Sequence, residues 1–185
     1  MVATKEDDLR HLLKTLSYLF QYPEKNWLQV NDLMTEVEEL PDCVCKEKIR
    51  TFLTGISLFS LEGLAAHYVE IFDFTPACSL NLSFSKVGET PERSGILVEL
   101  KTMYREHGFD LTDEELPDYL PVVLEFASIA PITISTNLLN SFRDSVEKLI
   151  VAVKEVSATS PYLDLLDLCL RVTDKMENFV GGDGS

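Results

Sequence analysis

Apolar residues return every three or four positions through almost the whole chain. Tyr162, Leu165, Cys169, Val172, Met176 and Phe179 show this most plainly. Leu9, Leu12, Leu13, Leu16, Leu19 and Phe20 make a second stripe, and Leu61, Leu64, Ala65, Tyr68, Val69 and Phe72 a third. In a helix such residues fall on one face, which must then be buried. Only the segment from Cys78 to Phe84 alternates apolar and polar, and it has no second run to pair with. A lone strand leaves its backbone groups unsatisfied. The expectation is an all-α, single-domain bundle of about eight helices with one long extended loop over residues 74–90.

Prolines and caps set the boundaries. Pro23 opens a predicted second helix carrying Trp27, Val30, Leu33, Met34 and Val37 to about Leu40, and Pro41 ends it. A third is expected from near Asp42, burying Cys45, Ile49, Phe52, Leu53 and Ile56. Ser60 and Ser160 are good N-caps for the helices that follow them. Thr90-Pro91 starts another, which Gly108 closes. Thr112 to Glu115 has the spacing of a capping box. A long helix is expected over 134–157, with Ile134, Leu138, Phe142, Val146, Leu149, Val153 and Val156 inward. With 185 residues, 45% of them hydrophobic, and no linker or repeat, residues 1–180 read as one domain and 181–185 as a flexible tail.

Residues 115–126, ELPDYLPVVLEF, interrupt this regularity. Pro117 and Pro121 bias Leu116 and Leu120 toward extended backbone, so a helix starts between Asp118 and Pro121. Asp118 is the expected N-cap, and a proline in the first turn costs little there. Stiff backbone, negative charge and the ring of Tyr119 converge in a few residues, the makings of a recognition site.

Charge narrows the partners. The chain has 16 Lys and Arg against 31 Asp and Glu, a net charge of −15. This argues against nucleic acid and anionic membranes, which need clustered cations. It suits a basic peptide, although many acidic proteins use charge for solubility alone. Between Arg105 and Arg143 no Lys or Arg occurs, while Glu106, Asp110, Asp113, Glu114, Glu115, Asp118 and Glu125 supply seven carboxylates. Two readings stay open: a solvated acidic face, or an acidic rim around an apolar groove that takes arginines followed by an apolar helix.

Catalytic parts are missing from the pattern. His11, His67 and His107 lie on three predicted helices without metal-ligand spacing. Cys43-x-Cys45 is too short a pair for structural zinc, and Cys78 reads as a small buried hydrophobe. There is no glycine-rich phosphate loop and no nucleophile elbow. Glu115, Asp118 and Glu125 lack a companion nucleophile or metal. No enzyme, no metal and no cofactor is expected. No secretory signal and no apolar run of about 18 residues occurs, so a reduced, cytoplasmic protein without membrane insertion is expected.

Several segments resemble one family. Residues 68–73 (YVEIFD), Cys78-Ser79-Leu80, Gly88-Glu89, Arg93, Tyr104, Gly108, the ELPDYLPVVLEF block and residues 160–166 (SPYLDLL) are similar to the NarJ nitrate reductase assembly chaperones, within the wider TorD/DmsD group. The likeness runs from about Leu9 to Val172. It implies an all-helical cytoplasmic chaperone for the catalytic subunit of a molybdenum oxidoreductase. Such chaperones hold the N-terminal, twin-arginine-like peptide of that subunit until molybdenum cofactor is inserted. The family's binding surface maps onto Pro117, Asp118 and Tyr119, and onto Tyr68 and Phe72. Many members have histidine where Tyr119 stands, and several have glycine where Ser94 follows Arg93. No phosphate motif supports the guanine-nucleotide binding described for some relatives.

The peptide-binding set expected from residues and resemblance together is Tyr68, Phe72, Glu115, Pro117, Asp118, Tyr119, Pro121, Leu124 and Glu125. Tyr68, Phe72, Tyr119 and Leu124 are expected to carry affinity, and Asp118 selectivity. The alternative for Tyr68, Phe72 and Leu124 is core packing. Two rivals for the whole chain are an enzyme using Glu115 and Asp118, and a structural or regulatory all-α subunit. Monomer and homodimer are both compatible with the sequence.

Overall fold

A computed structural model describes residues 4–24, 35, 37, 38, 43–112 and 115–182. Nine α-helices are present among them: α1 (Lys5–Leu19), α2 (Cys43–Ile56), α3 (Leu61–Phe72), α4 (Phe84–Val87), α5 (Pro91–Glu106), α6 (Leu120–Ile129), α7 (Ile132–Ser141), α8 (Arg143–Val156) and α9 (Tyr162–Gly182). No strand occurs in the described residues, as the helical period required. Most of the predicted helix over residues 23–40 lies outside them, although Val37 is buried. So do Asp113 and Glu114 of the capping-box segment.

The helices start where short polar side chains can serve the first free N–H groups. Thr4 accepts from the Asp7 N–H and Asp7 answers to the Thr4 N–H, a capping box. At the start of α3 the Ser60 hydroxyl accepts from the Gly63 N–H. Gly108 ends α5 at φ +72°, letting the Phe109 N–H turn back to the Tyr104 carbonyl at 2.9 Å. The fully buried stripe of α9 packs on α1, α2, α7 and α8, while α1 lies along α6. Ser17 donates to the Pro121 carbonyl at 2.7 Å and Arg10 to the Ser128 carbonyl at 3.0 Å, which fix that crossing. Tyr162, at the start of α9, is ringed by Phe20, Phe52, Tyr68 and Phe72 with centroids 5.0–6.4 Å away.

Four sequence expectations are corrected. The long helix over 134–157 is two helices. Phe142 sits between them at φ −105°, ψ 5°, with its ring buried, and the Ser141 hydroxyl bonds back to the Leu138 carbonyl at 2.7 Å. A serine bonding its own backbone competes with helix continuation. The segment over 74–90 is no plain extended loop: it holds a 3-10 turn (Pro76–Cys78), one antiparallel bridge from Asn81 to Tyr119, and α4. Helix α9 continues through Gly181 and Gly182, residues whose composition reads as tail. Asp118 is not the N-cap of α6. Tyr119 occupies that position without a side-chain cap bond, because the Asp118 carboxylate is engaged elsewhere.

His67 ties α3 to the start of α9. Its Nε2 lies 3.2 Å from the Ser160 hydroxyl, and its ring stacks between Phe59 and Tyr162. Ser160 is buried, so this Ser–His contact fastens two helices and faces no open site. Burial pushes the His67 pKa below the ordinary 6.5, against a weaker opposing pull from Glu70. A histidine kept neutral by folding takes up its proton more readily when unfolded. Its contribution to stability is full above pH 6.5 and falls as pH drops through the folded value. His67→Gln is expected to flatten the loss of stability between about pH 7.5 and about pH 5.5, read from urea midpoints of both proteins.

Candidate functional site

The ELPDYLPVVLEF stretch enters the core from α5. The Tyr104 hydroxyl donates to the Pro117 carbonyl at 2.7 Å, and its ring lies 4.4 Å from that of Phe126. Residues 80–82 pair with 118–120: the Leu82 N–H donates to the Asp118 carbonyl at 2.9 Å, and the Leu120 N–H to the Leu80 carbonyl at 2.8 Å. Leu80 and Leu82 thereby point inward and Asn81 outward, the alternation visible in the sequence.

Asp118 is fully buried, and one oxygen carries its bonds. Oδ2 accepts from the Ser83 hydroxyl, from the Ser83 N–H at 3.2 Å and from Arg93 Nη2 at 3.3 Å. Arg93 also donates from Nε to the Ser83 hydroxyl at 3.1 Å and pairs with Glu89, and its guanidinium lies 5.9 Å from the Phe84 ring centre. The side chains of the pair are 0% and 10% exposed. Asp118 thus meets a cation from α5, outside the stretch without Lys or Arg that surrounds it in sequence.

Tyr119 turns the other way and is half-buried. Its hydroxyl lies 2.9 Å from that of Tyr68, which donates to the Phe20 carbonyl at 3.0 Å. Burial raises the Tyr119 pKa, the Tyr68 hydrogen bond opposes this, and the charges of Glu115 and Asp73 add to the rise. Those two carboxylates are exposed, and their charge reaches the Tyr119 hydroxyl. Tyr22, 49% exposed, stands edge-on to Tyr68 at 5.6 Å, and Phe74 is 80% exposed just after Asp73. The result is an aromatic surface with carboxylates beside it.

The structure brings Tyr68, Phe72, Asp118 and Tyr119 into one neighbourhood but divides them by exposure. Tyr68, Phe72, Pro117, Asp118, Pro121 and Leu124 are buried, while Glu115 and Glu125 are exposed. Glu125 lies about 9 Å along α6 from Tyr119, as six residues of helix rise require. An open apolar cleft occurs elsewhere, between α5 and α7, with a volume of about 390 Å³. Ile96, Leu100, Met103, Ile134, Leu138 and Phe142 line it, with Lys86 and Glu99 among its charges. Sequence reasoning missed Tyr22, Asp73, Ser83 and Arg93 as neighbours of this site. Asp73 and Arg93 were visible as members of the family-like segments, whereas nothing local marks Tyr22.

Among the described residues no group of three or more His, Cys, Asp or Glu could hold a metal ion, and no single helix is long and apolar enough to cross a membrane. Cys45, Cys78 and Cys169 are buried, and burial raises the pKa of the Cys78 and Cys169 thiols, which keeps them protonated.

Comparison with known proteins is specific. The model of the family described as nitrate reductase delta subunit matches residues 37–157, and this chain belongs to that family. The probable nitrate reductase molybdenum cofactor assembly chaperone NarJ of Bacillus subtilis is 31% identical over 170 residues, covering 91% of each chain. The Escherichia coli chaperone NarJ is 28% identical over 166 residues, covering 88% of this chain and 69% of that one. A nitrate reductase-like protein NarX of Mycobacterium tuberculosis is 31% identical over 112 residues, 60% of this chain and 17% of its own length.

Proposed function

We propose that this chain is a system-specific, non-enzymatic chaperone for the catalytic subunit of a nitrate reductase-like molybdenum oxidoreductase. On this reading it binds that subunit's N-terminal, twin-arginine-like segment in the cytoplasm until molybdenum cofactor is inserted. The observation that carries the reading is the half-buried Tyr119, bonded to Tyr68 and within reach of the exposed Asp73 and Glu115 charges, in a chain whose relatives are named as assembly chaperones. Carboxylates orient arginines by bidentate pairing. The rings of Tyr22, Phe74 and Tyr119 supply apolar contact, which carries more of the affinity than exposed charge pairs do.

Calorimetry tests this with a synthetic peptide of the first 20–30 or so residues of the same organism's catalytic subunit, long enough to span a small domain as a helix. Binding is expected, weakening as salt rises. Glu115→Gln is expected to cost about 0.2–1 kcal/mol, up to roughly fivefold in affinity. No heat with folded protein would sink the reading.

A further inference from the structure

Asp118 and Leu124, both expected to contact a peptide, are 0% exposed. Residues 79–83 pair with residues 118–120 and bond the Asp118 carboxylate as a peptide would. Leu80 and Leu82 are buried, and Leu82 lines a small cavity together with Leu120, Val123, Leu124 and Val146. Only two backbone hydrogen bonds, those of one bridge, join the segment to residues 118–120. The Ser83 hydroxyl and N–H then meet Asp118 Oδ2, beside the guanidinium of Arg93. Asp118 Oδ1 is buried without a hydrogen-bond partner among the described residues. A buried carboxylate oxygen without a partner is costly and accepts a new donor readily.

We propose that residues 79–83 are a displaceable cover over a second recognition site. Its occupant is an extended client segment with two apolar side chains two residues apart, followed by an arginine. The inference rests on the peptide reading above. The cover shows what the site accepts: apolar groups at alternate positions, a backbone pairing with residues 118–120, and donors at Asp118. Exchange replaces like by like, so the client restores the apolar burial and backbone pairing that the cover gives up. An arginine adds a donor for Oδ1, which the cover leaves without one. Arg93 is the positioning residue, holding the Asp118 carboxylate toward the incoming chain while Glu89 keeps its own pairing with Arg93.

Amide hydrogen exchange read by NMR tests the proposal on the intact chain, with the same synthetic peptide. Saturating peptide is expected to speed exchange at the Leu82 amide at least about tenfold, because its acceptor is taken, while the Leu120 amide stays protected by the client's carbonyl. Without peptide, Ser83→Ala is expected to speed Leu82 exchange about tenfold with α9 amides unchanged, and to tighten peptide binding by up to about tenfold. A merely structural role for Ser83 gives no gain in affinity. Calorimetric binding with Leu82 exchange unchanged or slowed overturns the cover alone, and calorimetric silence overturns the peptide reading itself. Equal acceleration of Leu82 and α9 amides in Ser83→Ala also overturns the cover, which then has no opening of its own.

Discussion

Arg93→Ala is expected to lower the unfolding free energy by about 3–5 kcal/mol, because it strands a buried carboxylate. Asp118 has no exposed surface, and its bonded oxygen would keep only Ser83. Adding Asp118→Asn removes the stranded charge while keeping an acceptor for Ser83, so the double variant is expected to recover more than half of that loss. Urea denaturation of the wild type, both single variants and the double variant closes the cycle. A loss below about 1 kcal/mol in the first variant would place the pair in the class of solvent-screened surface bridges and remove Arg93 as the anchor of this region. The bridges at Lys48 with Asp164 and Asp167 offer the internal contrast, being partly exposed and worth about 0–1 kcal/mol each.

Leu124→Ala is expected to be the other large effect, at about 2–5 kcal/mol of stability. The side chain is fully buried and lines a small cavity with Leu82 and with residues of α7, α8 and α9. A truncation there opens a cavity with little room to relax. If Leu124 serves only the core, the variant binds peptide within about threefold of wild type at a temperature where both are folded. Thermal unfolding and calorimetry on one preparation separate the two losses. A stable Leu124→Ala protein that no longer binds peptide would show that the client reaches Leu124 once residues 79–83 have moved.

The division between expected and observed site follows from what sequence patterns encode. Tyr68, Phe72 and Leu124 lie on apolar stripes, and a stripe says that a face is buried without saying whether by the protein or by a ligand. Here the protein buries them: Tyr68 and Phe72 against Tyr162, and Leu124 at a small cavity lined by α7, α8 and α9. Asp118 carries the right residue type for an N-cap, yet its carboxylate goes to Ser83 and Arg93, residues 35 and 25 positions away. Tyr119 keeps both a buried hydroxyl contact and an accessible ring, so it remains the centre of the candidate surface. With tyrosine at this position the edge carries no charge that changes near neutral pH, since burial raises its pKa further from that range.

The sequence alone determined that this chain is helical, where most helices begin and end, and which faces are apolar. These follow from the 3.6-residue period, from the φ restriction of proline and from the αL preference of Gly108, all local properties of the backbone. It also carried the family, through ELPDYLPVVLEF and the segments in register with it. Tertiary structure alone decided which carboxylates meet solvent and which meet Arg93. It decided too that residues 80–82 pair with residues 118–120, and that Tyr22 comes to stand against Tyr68, whose hydroxyl meets that of Tyr119. Those outcomes depend on contacts between residues far apart in the chain, whose pairing is set by packing the whole bundle and by no spacing within one helix.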